Sequence, residues 1–190
     1  MSISGEDKRQ AIMEAAQDLF VELGFHGAPT SLIAKRAGVG VGTIYRYFQS
    51  KEELIHRIYD DLHGRFRQRF TAEFDSTAPL PDRLVFLLGR LLRFFIDEPR
   101  EFIYLEKYYF SPFAADGQHE IPDEEHNLIG KLLREGRDTG VFKEAAIPVL
   151  MCIAVGPIIS LTKEHISGRI TVDEPTIQIV TRACWDALRK

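Results

Sequence analysis

The sequence predicts an all-α protein of about nine helices. Three observations carry that reading. Apolar residues recur at three- and four-residue spacing along most of the 190 residues; alternating, strand-like runs do not recur; and Gly or Pro stands where helices would start and stop. Length and a 45% hydrophobic content suit one medium domain, or a small domain joined to a larger one. With 14 Gly, 9 Pro and 27% charged residues, the composition excludes collagen-like, disordered and mini-protein classes.

The first helix runs from about Asp7 to Leu23, capped by Ser4 or Asp7, with Ile12, Ala16, Leu19, Phe20 and Leu23 on its apolar face. Gly24 stops it at the C-terminal position that favours glycine. A short second helix opens after Thr30, a natural N-cap, and ends at Gly38. A third begins near Val41 and ends at Phe48. Ser50 caps a fourth, and Glu52 and Glu53 in its first turn suit the helix dipole. The stretch from Thr71 to Asp82 breaks the pattern, which divides the chain into residues 7–67 and 68–190.

A fifth helix, about Asp82 to Asp97, is apolar around most of its circumference and therefore surrounded by others. Only Arg83, Arg90, Arg93 and Asp97 form a polar stripe, most simply facing solvent. Pro99 starts a sixth helix. Phe113 to Ile121 reads as a loop, and Pro122 starts a seventh helix ending near Gly140. Two long helices, roughly Lys143 to Ser167 and Asp173 to Lys190, close the chain.

Several function classes fall away. Cys152 and Cys184 give neither a disulfide framework nor a CxxC pair, and read as buried thiols in a reducing compartment. The amino terminus lacks a basic region followed by an apolar core, so a cytoplasmic location is expected. The longest uncharged apolar stretch, Ala145 to Leu161, falls short of a bilayer span, so no membrane partner is expected. Asp138-Thr139-Gly140 matches an aspartic protease triplet, but it has no second copy and no sheet around it. His119, Glu120, Asp123 and His126 straddle a loop, and no metal is expected there. No Gly-rich phosphate loop follows a strand and no nucleophile elbow is present, so neither an enzyme nor a cofactor is expected.

The net charge of −4 argues against nucleic acid until its distribution is read. From Phe25 through Lys51, four residues are basic (Lys35, Arg36, Arg46, Lys51) and none is acidic. Glu52 to Lys190 carries 23 acids against 18 bases. A small basic face on an acidic body suits a protein that touches DNA at one end. That window also has helix-turn-helix arithmetic over about residues 30–49. Ala34 allows close helix approach, Gly38 supplies a left-handed turn, and Val39 and Ile44 fill the angle between the helices. The second helix would then present Val41, Gly42, Thr43, Tyr45, Arg46 and Tyr47 to the major groove. Lys35 and Arg36 read equally well as solvated charges.

The stretch T-S-L-I-A-K-R-A-G-V-G-V-G-T-I-Y-R-Y-F-Q-S-K-E-E-L, Thr30 to Leu54, resembles the signature of TetR-type bacterial transcriptional repressors. The preceding Ala11 to Phe20, with Gly24-Phe25, resembles that family's first helix. The resemblance implies an N-terminal three-helix DNA-binding domain and a C-terminal helical domain that binds a ligand and dimerises. It implies that Thr30, with Ser31 beside it, holds one phosphate and Lys51 another, while Gly42, Thr43, Tyr45 and Tyr47 contact backbone and base edges. One departure is Gly40-Val41, where the family often has serine or a basic residue. Arg46 then lies along the backbone or reads guanine.

Nine of the 28 residues from Phe86 to Phe113 are aromatic. Their simplest role is core packing, but tyrosine hydroxyls need partners, so Phe94, Tyr104, Tyr108, Tyr109 and Phe113 are candidates for an effector pocket. Arg90 and Arg93 are weaker candidates for a carboxylate anchor. A homodimer is expected through the last two helices, by Ala154, Gly156 and Ser160 and a stripe of Ile177, Val180, Thr181, Cys184 and Leu188. The expected function is a ligand-responsive repressor binding palindromic double-stranded DNA and released by a small, mainly apolar effector. The alternatives are a helical protein-interaction module, or a ligand-binding protein that does not bind DNA.

Overall fold

Ten α-helices and no β-strand make up residues 5–115 and 127–190, the part described by the computed structural model. Their residues fall into two compact units that do not follow chain order. The first comprises described residues 5–65 and 100–115; the second comprises residues 66–99 and 127–190.

In the first unit α1 (Gly5–Gly27) buries Ile12, Ala16, Leu19 and Phe20. Gly24 has φ +76°, which breaks the helix and returns Phe25 to the core. Then α2 (Thr30–Arg36) and α3 (Val41–Tyr47) follow, and Ser50 caps α4 (Lys51–Thr71) by accepting from the Glu53 amide at 3.1 Å. Here α6 (Pro99–Tyr109) and the short α7 (Pro112–Ala115) belong to the same unit. Tyr104 on α6 is fully buried and its hydroxyl donates to the Ile55 carbonyl at 2.7 Å. Its ring meets Phe25 edge-on at 5.5 Å. The Lys107 ammonium donates to the Val21 carbonyl at 2.7 Å, near the end of the regular part of α1.

The aromatic pocket candidates are therefore divided. Tyr104, Tyr108 and Phe113 pack in the first unit, where the Tyr108 hydroxyl lies 2.9 Å from His56 Nδ1 and the Phe113 ring meets Phe25 at 5.5 Å. Phe94 is buried in the second unit, edge-on to Phe66 at 4.9 Å, and Tyr109 is 57% exposed. The two buried tyrosine hydroxyls have protein partners, so their polarity supplies no argument for a ligand.

In the second unit α5 (Leu80–Asp97) buries Leu84, Leu87, Leu88, Leu91 and Leu92 among α8 (Leu128–Asp138), α9 (Ile147–Ile166) and α10 (Glu174–Leu188). The expected solvent stripe on α5 is instead a row of cross-links. Arg83 binds Glu135 of α8 at 2.9 Å, Arg90 binds Glu73 and the Ala72 carbonyl, and Arg93 pairs with Glu174 of α10. Packing at the α8 end is close: a Cβ on Gly136 would lie 2.2 Å from the Phe142 ring.

The stripe expected to join two subunits turns inward. Ile177, Thr181, Cys184 and Leu188 of α10 and Ala154 of α9 are buried within the protomer, and Val180 is half-buried against the same core. Three- and four-residue spacing shows that a helix face is covered, not by which chain. Gly156 is half-exposed and Ser160 exposed. The apolar residues left outside on these helices are Val149, 50% exposed, and Ile179, 69% exposed. Cys152, expected to be buried, is exposed as well. At 20 residues α9 is long and apolar enough, by length and composition alone, to cross a membrane, and 22% of its most apolar window is buried.

Other boundaries shift at the ends. The segment read as a loop begins with α7; the seventh expected helix is α8, capped by the Asn127 side chain accepting from Gly130 at 3.0 Å. The candidate cluster of His119, Glu120, Asp123 and His126 lies outside the described residues. Asp138-Thr139-Gly140 ends α8: Asp138 accepts from Arg137 at 2.9 Å, and Gly140 has φ +74°.

Candidate nucleic-acid interface

The angle between α2 and α3 is set by four residues. Ala34 is buried where the helices meet, Gly38 has φ +66°, and the Val39 amide donates to the Ala34 carbonyl at 3.0 Å. Ile44 is buried and fixes the inner face of α3. By helical periodicity the opposite face carries Val41, Gly42, Tyr45 and Arg46, all exposed, with Thr43 and Tyr47 half-buried at its margins. At Gly42 no atom lies within 4 Å of where a Cβ would stand, so the backbone there can be approached closely.

Thr30 is not the N-cap that its position suggested. Pro29 takes that place, and its carbonyl accepts from the Leu32 amide at 2.9 Å. The Thr30 hydroxyl stands instead 3.3 Å from the Tyr45 hydroxyl, while Ser31 is exposed beside it. Arg46 folds along its own helix: Nη2 donates to the Tyr47 hydroxyl at 3.0 Å, and the guanidinium sits 5.1 Å from that ring's centroid.

Lys51, at the start of α4, places Nζ 5.8 Å from the Phe20 ring centroid, and partial burial holds its pKa below the usual lysine range. Arg36 is spent in structure, forming a two-pronged pair with Glu22 of α1 at 2.7 and 3.1 Å. That bond raises the pKa of Arg36 and lowers that of Glu22. Lys35 remains exposed.

One cation at this surface escaped the sequence reading. Arg9 of α1 lies with its guanidinium 5.5 Å from the centroid of Phe48, the residue that ends α3. A Cβ on Gly5 would stand 3.4 Å from the Tyr47 hydroxyl, so the first turn of α1 abuts the end of α3. The acid-free window begins at Phe25 and hides Arg9, which stands two residues after Asp7. Only the fold carries it to Phe48. The hydroxyls and Arg46 of α3, with Arg9 of α1, Lys51 of α4 and an open backbone at Gly42, form a surface chemically suited to phosphate and base edges.

Comparison with known proteins bears on this geometry. Residues 12–58 match the profile of bacterial regulatory proteins of the tetR family, and residues 59–190 match the tetracyclin repressor-like C-terminal domain. A Bacillus subtilis (strain 168) fatty acid metabolism regulator protein is 28% identical over 139 residues, covering 72% of each chain. A tetR family transcription regulator from Shewanella sp. PV-4 superposes with a TM-score of 0.82 at 26% identity, over 96% of this chain and 98% of its own. The transcriptional regulator FadR from Bacillus subtilis, solved with stearoyl-CoA, shares the fold at a TM-score of 0.65 and 19% identity, over 93% of this chain and 95% of its own.

Proposed function

Because the chain belongs to the TetR family of bacterial transcriptional regulators, we propose that it binds a palindromic operator as a homodimer and leaves it when a mainly apolar effector binds. The observation that carries the DNA reading is the exposed face of α3 within a segment, residues 25–51, that has no acidic residue. Val41, Gly42, Thr43 and Tyr45 meet base edges and the adjacent backbone. Thr30, Ser31, Tyr47, Arg46 and Lys51 hold phosphates, and Arg9 joins them. A protein-interaction module would need no such clearing of acids. As a regulator that acts on the chromosome, the protein works in the cytoplasm.

The apolar surface that the protomer leaves open on α9 and α10 supports the dimer. Val149 and Ile179, with exposed Ser160, form the face a second copy would cover. The two recognition helices then sit about one DNA turn apart or slightly more.

The effector is a long acyl chain with a polar head, of the fatty acyl thioester class. Two facts support this class: the fatty acid metabolism regulator among its relatives, and the apolar interior of the second unit, lined by α5, α8 and α9. Phe94 is a buried residue of that unit, whereas the tyrosines of α6 lie in the first unit. Selection from random duplex DNA would supply the operator; octanoyl-, palmitoyl- and stearoyl-CoA would then be titrated against the complex. The longer chains should weaken operator binding roughly 5–150-fold, and free CoA should do nothing. An intact operator complex indifferent to every acyl chain overturns the effector class. Failure to select any operator overturns the DNA reading.

A further inference from the structure

In the first unit, one face of α1, the middle of α4 and the first turn of α6 enclose a cleft of about 110 Å³. Its wall is almost wholly polar, unlike the core around it. Gln17 of α1 lines this cleft and is 4% exposed. Its Oε1 accepts from Arg100 Nη2 at 2.7 Å, which fixes the carboxamide's orientation. Its Nε2 has no protein partner. A buried donor without an acceptor is costly, so such a group calls for an occupant.

The charges of the wall decide what kind. Arg100 is held by Asp18 at 3.0 Å, and Arg65 by Asp61 at 3.2 Å. Both guanidinium charges are therefore paired. The carboxylates are less well matched: Glu101, with a side chain 12% exposed, has Arg65 no nearer than 4.0 Å, and the Glu14 carboxylate accepts from the neutral Gln10 amide at 2.9 Å. The cleft thus offers the unused Gln17 donor, beside an Arg100 Nε that also makes no hydrogen bond, and surplus negative charge, and it would repel an anion.

The geometry points to a binding site for a small organic cation that also carries a hydrogen-bond acceptor, such as an amino alcohol. Its ammonium group lies against Glu101 and Glu14, and its oxygen accepts from Gln17 Nε2. The volume exceeds what one water needs several times over. Such an occupant would bridge α1, α4 and α6, and its binding is independent of whether the chain recognises an operator.

Ethanolamine is the probe. In ¹⁵N-labelled full-length protein, the Gln17 side-chain amide signals, assigned by their loss in Gln17→Met, should shift saturably with added ethanolamine at fixed ionic strength. Ethylammonium, which lacks the acceptor, and propanol, which lacks the charge, should each bind at least about tenfold more weakly, a difference of about 1.4 kcal/mol. Glu101→Gln, a change in the first turn of α6 that leaves Gln17 in place, should weaken ethanolamine to a similar extent. Gln17 signals that move no further than with equal ammonium chloride, or a Glu101→Gln protein that binds like wild type, would leave water as the occupant and overturn the proposal.

Discussion

The hydroxyls of Thr30 and Tyr45 lie 3.3 Å apart, tying the first residue of α2 to the exposed side of α3. The pair holds the Tyr45 phenol, 51% exposed, in one orientation on the surface assigned to DNA. Thr30→Ala and Tyr45→Phe should each weaken operator binding about fivefold, near 1 kcal/mol. The double variant should lose little more than the worse single, because the two hydroxyls act as one unit. Fluorescence anisotropy on the selected operator measures this, and strictly additive losses would show that each acts alone.

Three cations near the same surface should behave differently. Lys51→Gln and Arg9→Gln should weaken specific and random DNA alike and reduce the salt slope by about one unit each. Arg36→Gln should leave the slope unchanged, since its guanidinium is already bound to Glu22. The pair it breaks is solvent-exposed and contributes little to stability. Titrations at several salt concentrations separate the three.

Ile179→Glu should convert a dimer into a particle of 21.7 kDa in sedimentation at micromolar concentration, without lowering the protomer's helix content. Its side chain is 69% exposed, so a charge there meets no core. A charge at Val180 should do more damage, because that residue packs against the protomer's own interior. A wild-type protein that already sediments at the protomer mass would refute the assembly.

Burial pushes the Cys184 thiol from 9.0 up to about 11. The unfolded chain ionises first as pH rises, so the stabilising contribution is complete below pH 9 and is lost between about 9 and 11. At most it amounts to about 2–3 kcal/mol. Thermal melts of wild type and Cys184→Ala should therefore converge as pH rises from 8 to 10.5. A constant gap across that range would contradict the burial.

The helix-turn-helix was legible because its determinants are local. Ala34, Gly38 and Ile44 fall within eleven residues, and each is demanded by the backbone turn between two adjacent helices. The placement of α6 was not. Only the distant partners of Tyr104 and Lys107, on α4 and α1, decide where it packs. The inward stripe of α10 was read correctly as covered and wrongly as covered by a partner, since periodicity carries no identity for the covering surface. Arg9 and Gln17 share one cause: their surroundings come from residues far along the chain.

That α6 packs with the amino-terminal helices limits how this protein can be recombined with its relatives. A fragment cut after residue 67 would carry α1 to α3 and most of α4 but lack the tyrosine that caps the Ile55 carbonyl and the lysine on the Val21 carbonyl. It would also expose Phe20 and Phe25, which lie against that tyrosine. Sensors assembled by grafting this reading head onto another receptor would need two splice points rather than one, so that residues 100–115 travel with it. A single junction would yield a chimera whose recognition half is the weaker folder, whatever its receptor.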